Sequence, residues 1–215
     1  MLETVAPRLC EVRDLGRLRW AEAYDLQVQL AGQRKLGEIP DQLILVEHPH
    51  VVTMGRNGHD ENLLASPEVL ASSGIEFHTT NRGGDVTYHG PGQIVAYPIL
   101  NLSEWKRDVH AFIRALEQVV LNTLAEFGVC GERVPGATGV WVNGAKICAM
   151  GVHISRWVTS HGLALNVETD LRYFQYIIPC GLTKPVTSLR QLGVCASVED
   201  VKIALRENFF KVYDY

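Results

Sequence analysis

Near its middle the chain reads Arg82-Gly-Gly-Asp-Val-Thr-Tyr-His-Gly-Pro-Gly-Gln-Ile-Val-Ala-Tyr-Pro98. The stretch starts with paired glycines, continues through polar side chains and ends in a short apolar run. Paired glycines let a backbone turn sharply and let a ligand lie against bare peptide. Polar side chains, glycine and proline are unfavourable in a strand that is buried in the core. We therefore predict that this stretch forms a pocket wall. A central strand is predicted to follow over Gln93–Leu100.

On either side of this stretch, hydrophobic periodicity predicts both strands and helices. The predicted helices are Trp20–Lys35, Val109–Phe127 and a C-terminal helix that begins at Ser197, and the predicted strands are Leu43–Val46, Val51–Met54, Ile75–Thr79 and Gly162–Val167. Val140–Cys148 is typical of a hairpin that turns at Asn143-Gly144, with a strand continuing through Ile154. Strands outnumber helices, and hairpins occur beside longer crossovers. We therefore predict an α/β or α+β domain built on a mixed sheet.

Length and composition, with 47% hydrophobic and 20% charged residues, fit one globular domain over residues 1–215. The net charge of -4 argues against nucleic-acid binding, and no apolar run approaches the roughly 18 residues that span a bilayer. The N-terminus lacks the charged and apolar regions of a leader. The five scattered cysteines include no Cys-x-x-Cys pair, so we expect no disulfide framework and a cytoplasmic location.

Two cysteines are candidate nucleophiles. Cys180 stands between Pro179, which fixes φ, and Gly181, which frees the backbone, and such a bend can expose a side chain. Cys148 follows Lys146 by two residues on a predicted strand, so the two side chains should share a face. A neighbouring ammonium lowers the pKa of a thiol. Packing of Cys148 into the core is the alternative, and periodicity does not decide between the two cysteines.

The histidines offer a possible metal pair and one pocket residue. His48 and His50 bracket a proline, but no third ligand stands at a recognisable spacing, so we expect no metal site. His89 lies inside the glycine-rich stretch and is predicted to be a hydrogen-bonding group of the pocket.

Several blocks, in the same order along the chain, resemble the lipoyl(octanoyl) transferases, also called the lipoate–protein ligase B family. The matching blocks are Arg82–Gln93, Gly144–Val152, Ser155–Asn166, Pro179–Gly181 and Thr187–Leu189. The resemblance implies an acyltransferase that moves an octanoyl group from octanoyl-acyl carrier protein to a lysine of lipoyl domains, the first step of endogenous protein lipoylation. It also implies the fold of lipoate and biotin ligases, with a larger mixed sheet, a smaller sheet and flanking helices.

The resemblance also implies roles for individual residues. Cys180 would be the acyl-thioester nucleophile, and Lys146 would lower its pKa. The acyl substrate would be bound by Arg82, Gly83, Gly84, Asp85, Val86, Thr87, Tyr88, His89, Ala149, Met150, Gly151, Gly162, Leu163 and Ala164. The apolar side chains of Ile147, Met150 and Leu163 are the expected contacts of the acyl chain. The acceptors would be the lipoyl domains of 2-oxoacid dehydrogenase complexes and the glycine cleavage H protein, and no ATP, metal or other cofactor is expected.

Three other functions compete with this one. An ATP-dependent lipoate or biotin ligase on the same fold would keep the lysine and need no cysteine, but it resembles the chain less well around Arg82–Gln93. A non-catalytic module that binds an acyl group or docks its carrier is disfavoured because both Cys180 and Lys146 are present. A cysteine hydrolase is disfavoured because no Cys–His pair has a recognisable family context.

Overall fold

A computed structural model of the protein describes residues 8–178 and 185–215. Its strands lie in two sheets. In chain order they are β1 (Cys10–Arg17), β2 (Asp41–Glu47), β3 (Val51–Met54), β4 (Glu76–Thr79), β5 (Val86–His89), β6 (Gln93–Ile99), β7 (Glu132–Val134), β8 (Ala137–Val142), β9 (Ala145–Ser155) and β10 (Val158–Asn166). The larger sheet has seven strands in the order β1-β2-β6-β10-β9-β8-β7, and the smaller has three in the order β4-β3-β5.

Helices cover both faces of the larger sheet. Helix α1 (Trp20–Leu36) packs on one face, and the long helices α3 (Val109–Glu126) and α4 (Val198–Tyr213) pack on the other. Strand β1 is parallel to β2, and the remaining neighbours are antiparallel, so the sheet is mixed. A strand buried on both faces reads as a continuous apolar run, as Leu43–Val46 does within β2.

The smaller sheet has a core of its own. In it β3 pairs parallel to β4 and antiparallel to β5. The short helix α2 (Pro67–Ser72) closes one side of this core through Leu70. Ser66 caps that helix, because its side chain accepts a hydrogen bond from the main-chain N–H of Val69.

The predicted fold class is confirmed, as are most of the predicted elements. Asn143 and Gly144 form the hairpin turn with φ values of 51° and 78°, as a turn with two left-handed positions requires. Ser197 and Asp200 form a capping box at the start of α4. Three strands were not predicted: β1, which is a half-exposed edge strand, β5, which was interpreted only as an irregular pocket wall, and the three-residue strand β7.

Within the described part of the chain, no helix combines the length and apolar character that crossing a membrane requires.

Candidate active site

A pocket lies between the two sheets, next to the first turn of α1. Its empty volume is about 470 Å³, including its open mouth. One wall comes from β5 and the loop that precedes it, and the other comes from β6, β9 and β10 of the larger sheet. The lining residues are Trp20, Arg82, Gly84, Thr87, His89, Val95, Tyr97, Ala149, Met150, Gly151, His161, Gly162, Leu163 and Ala164. Ten of them belong to the set that the family resemblance implies for substrate binding.

Strand alternation divides the residues of β5 between the pocket and the small core. Thr87 and His89 line the pocket. Val86 and Tyr88 face the other way and are fully buried in the core of the smaller sheet. Tyr88 also has its hydroxyl 2.7 Å from Nδ1 of His50. Both Val86 and Tyr88 therefore support the pocket wall from behind and do not line the cavity.

Gly83 and Asp85 hold the loop before β5 in place. The main-chain N–H of Gly83 donates to the oxygen of Val152 at 2.8 Å, which ties the loop to β9. The carboxylate of Asp85 accepts hydrogen bonds from the main-chain N–H of His59, at 3.1 Å, and from the side-chain amide of Asn62. Neither residue lines the pocket, but their hydrogen bonds hold the adjacent lining residues in position.

Arg82 brings a buried positive charge to the pocket wall. Its Nη2 donates to the main-chain oxygen of Thr53 at 2.6 Å, and its Nη1 donates to the oxygen of Gly83 at 3.2 Å. Only 8% of the residue is exposed, so its charge acts at short range with little screening by water.

Two pocket histidines are neutral at physiological pH. Burial lowers the pKa of His89 to about 3, with the charges of His48 and Arg82 adding to the effect and the hydrogen bond to Gln93 opposing it. Burial, followed by the charge of Arg82, lowers the pKa of His161 to about 3 as well. These rings therefore serve the pocket as uncharged hydrogen-bonding groups.

Four lining residues were not predicted: Trp20, Val95, Tyr97 and His161. His161 is the most unusual because it has a φ of 56° inside a strand, a costly conformation for a residue with a side chain. Its Nε2 lies 2.7 Å from Oδ1 of Asn81, and its ring stacks on Tyr24 of α1 at 5.6 Å. In the sequence these residues look like ordinary strand and helix positions, so only the packing of α1 reveals them.

Two glycines allow main chains to pass closely at the pocket wall. A Cβ on Gly151 would lie 2.7 Å from the oxygen of Gly83, and a Cβ on Gly162 would lie 2.1 Å from the oxygen of Ala96. Real Cβ atoms do not approach main chain this closely, so any side chain at either position would force the backbone to move. The close approach of the Gly83 loop to β9 and the close pairing of β10 with β6 therefore depend on glycine at these sites.

We expect Gly162→Ala to lower the free energy of unfolding by about 2–3 kcal/mol, since β6 and β10 would have to separate. Denaturant unfolding would measure the change. Gly32→Ala in α1 is the matched control, because its added Cβ would meet nothing within 4 Å. That control should be neutral or more stable by about 0.5–1 kcal/mol. Equal stability of Gly162→Ala and the unchanged protein would contradict the close pairing of β10 with β6.

Lys146 lies near the start of β9 and is 8% exposed. Its Nζ is 4.8 Å from the ring centre of Trp141, within the range of a cation–π contact. Its main-chain N–H donates to the oxygen of Pro185 at 2.8 Å, and its oxygen accepts from the N–H of Thr187 at 3.0 Å. The predicted nucleophile Cys180 lies outside the described residues.

Cys148 does not share a face with Lys146, so that prediction is wrong. Val140 pairs with Cys148 and Trp141 pairs with Lys146, which makes Ile147 the extra residue of a β-bulge. Because Val140 and Trp141 are consecutive and point to opposite faces, their two partners do as well. The bulge interrupts the alternation on which the prediction depended.

The surroundings of Cys148 are those of a structural thiol. Both Cys148 and Ile147 are fully buried in the main hydrophobic core, away from the pocket lining. Burial raises the pKa of the Cys148 thiol far above its ordinary value, and the charge of Lys146 only partly offsets this. A thiol of this kind stays protonated at neutral pH and is a poor nucleophile.

Sequence comparisons place the chain among known enzymes. The family model described as "Lipoyl protein ligase A/B catalytic domain" matches residues 20–210. An octanoyltransferase of Solibacter usitatus is 59% identical over 208 residues, which cover 97% of this chain and 94% of the relative. An octanoyltransferase of Gloeobacter violaceus is 47% identical over 205 residues, which cover 95% of this chain and 90% of the relative.

Solved structures share the fold at low sequence identity. A bipartite lipoate protein ligase from Thermoplasma acidophilum superposes with a TM-score of 0.75 at 16% identity, covering 95% of this chain and 84% of that one. A biotin protein ligase from Aquifex aeolicus superposes with a TM-score of 0.54 at 12% identity, covering 95% of this chain and 69% of that one. At such identities the likeness concerns the fold alone. By the sequence matches, the chain belongs to the lipoyl protein ligase A/B catalytic family and, within it, to the octanoyltransferases, which are acyltransferases that act in protein lipoylation.

Proposed function

We propose that the protein moves an octanoyl group from octanoyl-acyl carrier protein to lysine ε-amines of lipoyl domains through a thioester on Cys180. The acceptors would include lipoyl domains of 2-oxoacid dehydrogenase complexes and the glycine cleavage H protein. One catalytic domain over residues 1–215 would carry out both half-reactions. Membership of the octanoyltransferases supports the transferred group, and the lipoate protein ligase of T. acidophilum, described with its E2 lipoyl domain, supports the kind of acceptor.

The observation that carries the proposal is the pairing of Lys146 with the chain that leads away from Cys180. The main chain of Lys146 bonds to both Pro185 and Thr187. Cys180 precedes Pro185 by five residues, and an extended chain of that length spans at most about 17 Å. On the other side, the N–H of Ile178 donates to the oxygen of Asn62 at 2.8 Å. The intervening segment thus starts and ends at fixed points, and the Pro185 end limits how far Cys180 can lie from Lys146, which supports their pairing.

A single ammonium group is sufficient to ionise such a thiol. An unperturbed thiol has a pKa of about 8.5, so only a few per cent is thiolate at pH 7. Lowering that pKa by about two units requires roughly 2.7 kcal/mol. A unit charge about 4 Å away supplies on the order of 4 kcal/mol at an effective dielectric constant of about 20. The Lys146 ammonium therefore needs no help from a metal ion.

In the first half-reaction the Cys180 thiolate attacks the carbonyl carbon of the octanoyl thioester. A bond forms between the Cys180 sulfur and the acyl carbon, and the bond to the carrier sulfur breaks. The departing carrier thiolate takes a proton from the Lys146 ammonium. The products are the free carrier thiol, an octanoyl thioester on Cys180 and a neutral Lys146 amine.

In the second half-reaction the neutral ε-amine of the acceptor attacks the enzyme thioester. The amide bond forms, the bond between the acyl carbon and the Cys180 sulfur breaks, and the thiolate is restored. The proton that the attacking nitrogen loses passes to the neutral Lys146, which becomes an ammonium again. Thioester cleavage drives the sequence, so no ATP is consumed.

The apolar part of the pocket suits a short acyl chain. Val95, Ala149, Met150, Leu163 and Ala164 all line it. Each buried methylene contributes about 0.8 kcal/mol, so a chain one carbon shorter should react only several-fold more slowly.

We expect the purified protein to octanoylate a lipoyl domain from octanoyl-acyl carrier protein without ATP. Mass spectrometry of the acceptor domain would detect the added octanoyl group. An acceptor whose target lysine is replaced by methionine is the control and should remain unmodified. Modification only from free octanoate plus ATP would contradict the proposal and support a ligase.

A further inference from the structure

We propose that Gln93 and Asn166 are positioning residues that hold His89 with its proton on Nδ1, so that Nε2 accepts a hydrogen bond from the attacking amine. This inference rests on the proposed function, since the amine belongs to the second half-reaction. It assigns a task to three polar residues that are 7% exposed or less.

Main-chain oxygens fix the direction of the hydrogen bonds between these side chains, because a main-chain oxygen can only accept. Nδ2 of Asn166 donates to the oxygen of Thr187 at 3.0 Å, so Oδ1 of Asn166 faces Gln93. Nε2 of Gln93 then donates to that Oδ1 at 2.9 Å and to the oxygen of Tyr88 at 3.2 Å. The two amides therefore have only one orientation that satisfies every contact.

The same chain of bonds fixes the tautomer of His89. With both protons of the Gln93 amide directed at oxygens, its Oε1 lies 2.8 Å from Nδ1 of His89. An amide oxygen only accepts, so Nδ1 must carry the proton. A neutral imidazole has one proton, which leaves a lone pair on Nε2. Among the residues that the structure describes, none bonds to Nε2, and His89 lines the pocket.

Burial is the main reason that His89 stays neutral, since it lowers the pKa of the ring to about 3. A base this weak does not take a proton from an amine at neutral pH. Its lone pair can still accept a hydrogen bond, which is a positioning task.

The network also reaches the residue that is proposed to handle the proton. Thr187, whose oxygen anchors Asn166, donates its own N–H to the oxygen of Lys146 at 3.0 Å. A neutral primary amine has two N–H bonds. One proton is lost to Lys146 during attack, and we expect Nε2 of His89 to accept the other N–H and aim the nitrogen lone pair at the thioester carbon.

A spectroscopic test needs no substrate. In the unchanged protein labelled with ¹⁵N-histidine, long-range ¹H–¹⁵N correlation spectra distinguish the protonated ring nitrogen from the bare one. Loss of signals in His89→Gln assigns the residue. We expect the Nδ1–H tautomer in the unchanged protein and a mixture of tautomers in Gln93→Leu. A proton on Nε2 in the unchanged protein would overturn the proposal.

A kinetic test separates the two half-reactions. Gln93→Leu and His89→Leu should slow deacylation of the octanoyl-enzyme by a lipoyl domain at least about tenfold more than they slow acylation. His89→Gln should recover part of the rate, because its amide oxygen can accept in place of Nε2. Thr123→Val in α3, which removes a buried hydroxyl bonded to Val119, is the control and should leave both rates unchanged.

The outcomes distinguish this inference from the proposed function. Equal slowing of acylation and deacylation, or no slowing of either, would overturn the role of His89. If the unchanged protein forms no acyl-enzyme, the proposed function fails and the amine contact fails with it. The tautomer would still be readable from the spectrum in that case.

Discussion

Replacing Cys180 by serine is expected to reduce octanoyl transfer to lipoyl domains by about 10³-fold or more, because a serine hydroxyl without a dedicated base is a far weaker nucleophile than a thiolate. Transfer from octanoyl-acyl carrier protein, followed by mass spectrometry of the acceptor, measures the loss. The variant should remain folded, which its circular dichroism and unfolding midpoint would establish.

Cys148→Ala is the matched control for that experiment. Cys148 is fully buried in the main core, on the opposite face of β9 from Lys146. Its replacement should cost about 1 kcal/mol of stability and leave transfer nearly unchanged. Full activity in Cys180→Ser together with lost activity in Cys148→Ala would reverse the assignment of the nucleophile.

Replacing Lys146 by methionine is expected to reduce the transfer rate at pH 7 by about 10²-fold or more. Loss of the ammonium removes the charge that favours the thiolate and removes the group that exchanges the proton. The sign of the pH effect follows: without a nearby cation the pKa of the Cys180 thiol rises, so the thiolate appears only at higher pH. Alkylation of Cys180 by iodoacetamide, followed across pH, should have its midpoint about one to two units higher in the variant.

Lys202→Met is the control for removal of a lysine charge. Lys202 lies on α4 and forms ion pairs with Asp14, at 2.8 Å, and with Glu199, at 3.0 Å. Its replacement should leave the alkylation midpoint and the transfer rate unchanged. An unaltered alkylation profile in Lys146→Met would mean that the lysine does not act on the thiol.

Much of the fold follows from local sequence signals. Asn143-Gly144 permits two consecutive left-handed residues, which few other pairs tolerate, and Leu43–Val46 is apolar at every position because helices cover both faces of its sheet. The edge strand β1 escaped prediction because its residues are half exposed and pair with β2 through main-chain bonds, which carry little sequence preference.

The site was less predictable, because it depends on register and on contacts between distant segments. Regular strand alternation predicted that the side chains of Lys146 and Cys148 lie on one face of the sheet. The extra residue in β9 instead places them on opposite faces. The pairing of Gln93 with Asn166 across β6 and β10 joins positions 73 residues apart. No local sequence pattern predicts that two buried side-chain amides come into contact and orient a histidine.

The central claim is a covalent octanoyl thioester on Cys180, and the most direct measurement is mass spectrometry of the enzyme after brief incubation with octanoyl-acyl carrier protein alone. The account predicts one added octanoyl group, located on the peptide that contains Cys180, sensitive to hydroxylamine and discharged by a lipoyl domain. An unmodified enzyme that nonetheless transfers octanoyl groups, or a label on another residue that is discharged at the catalytic rate, would contradict it.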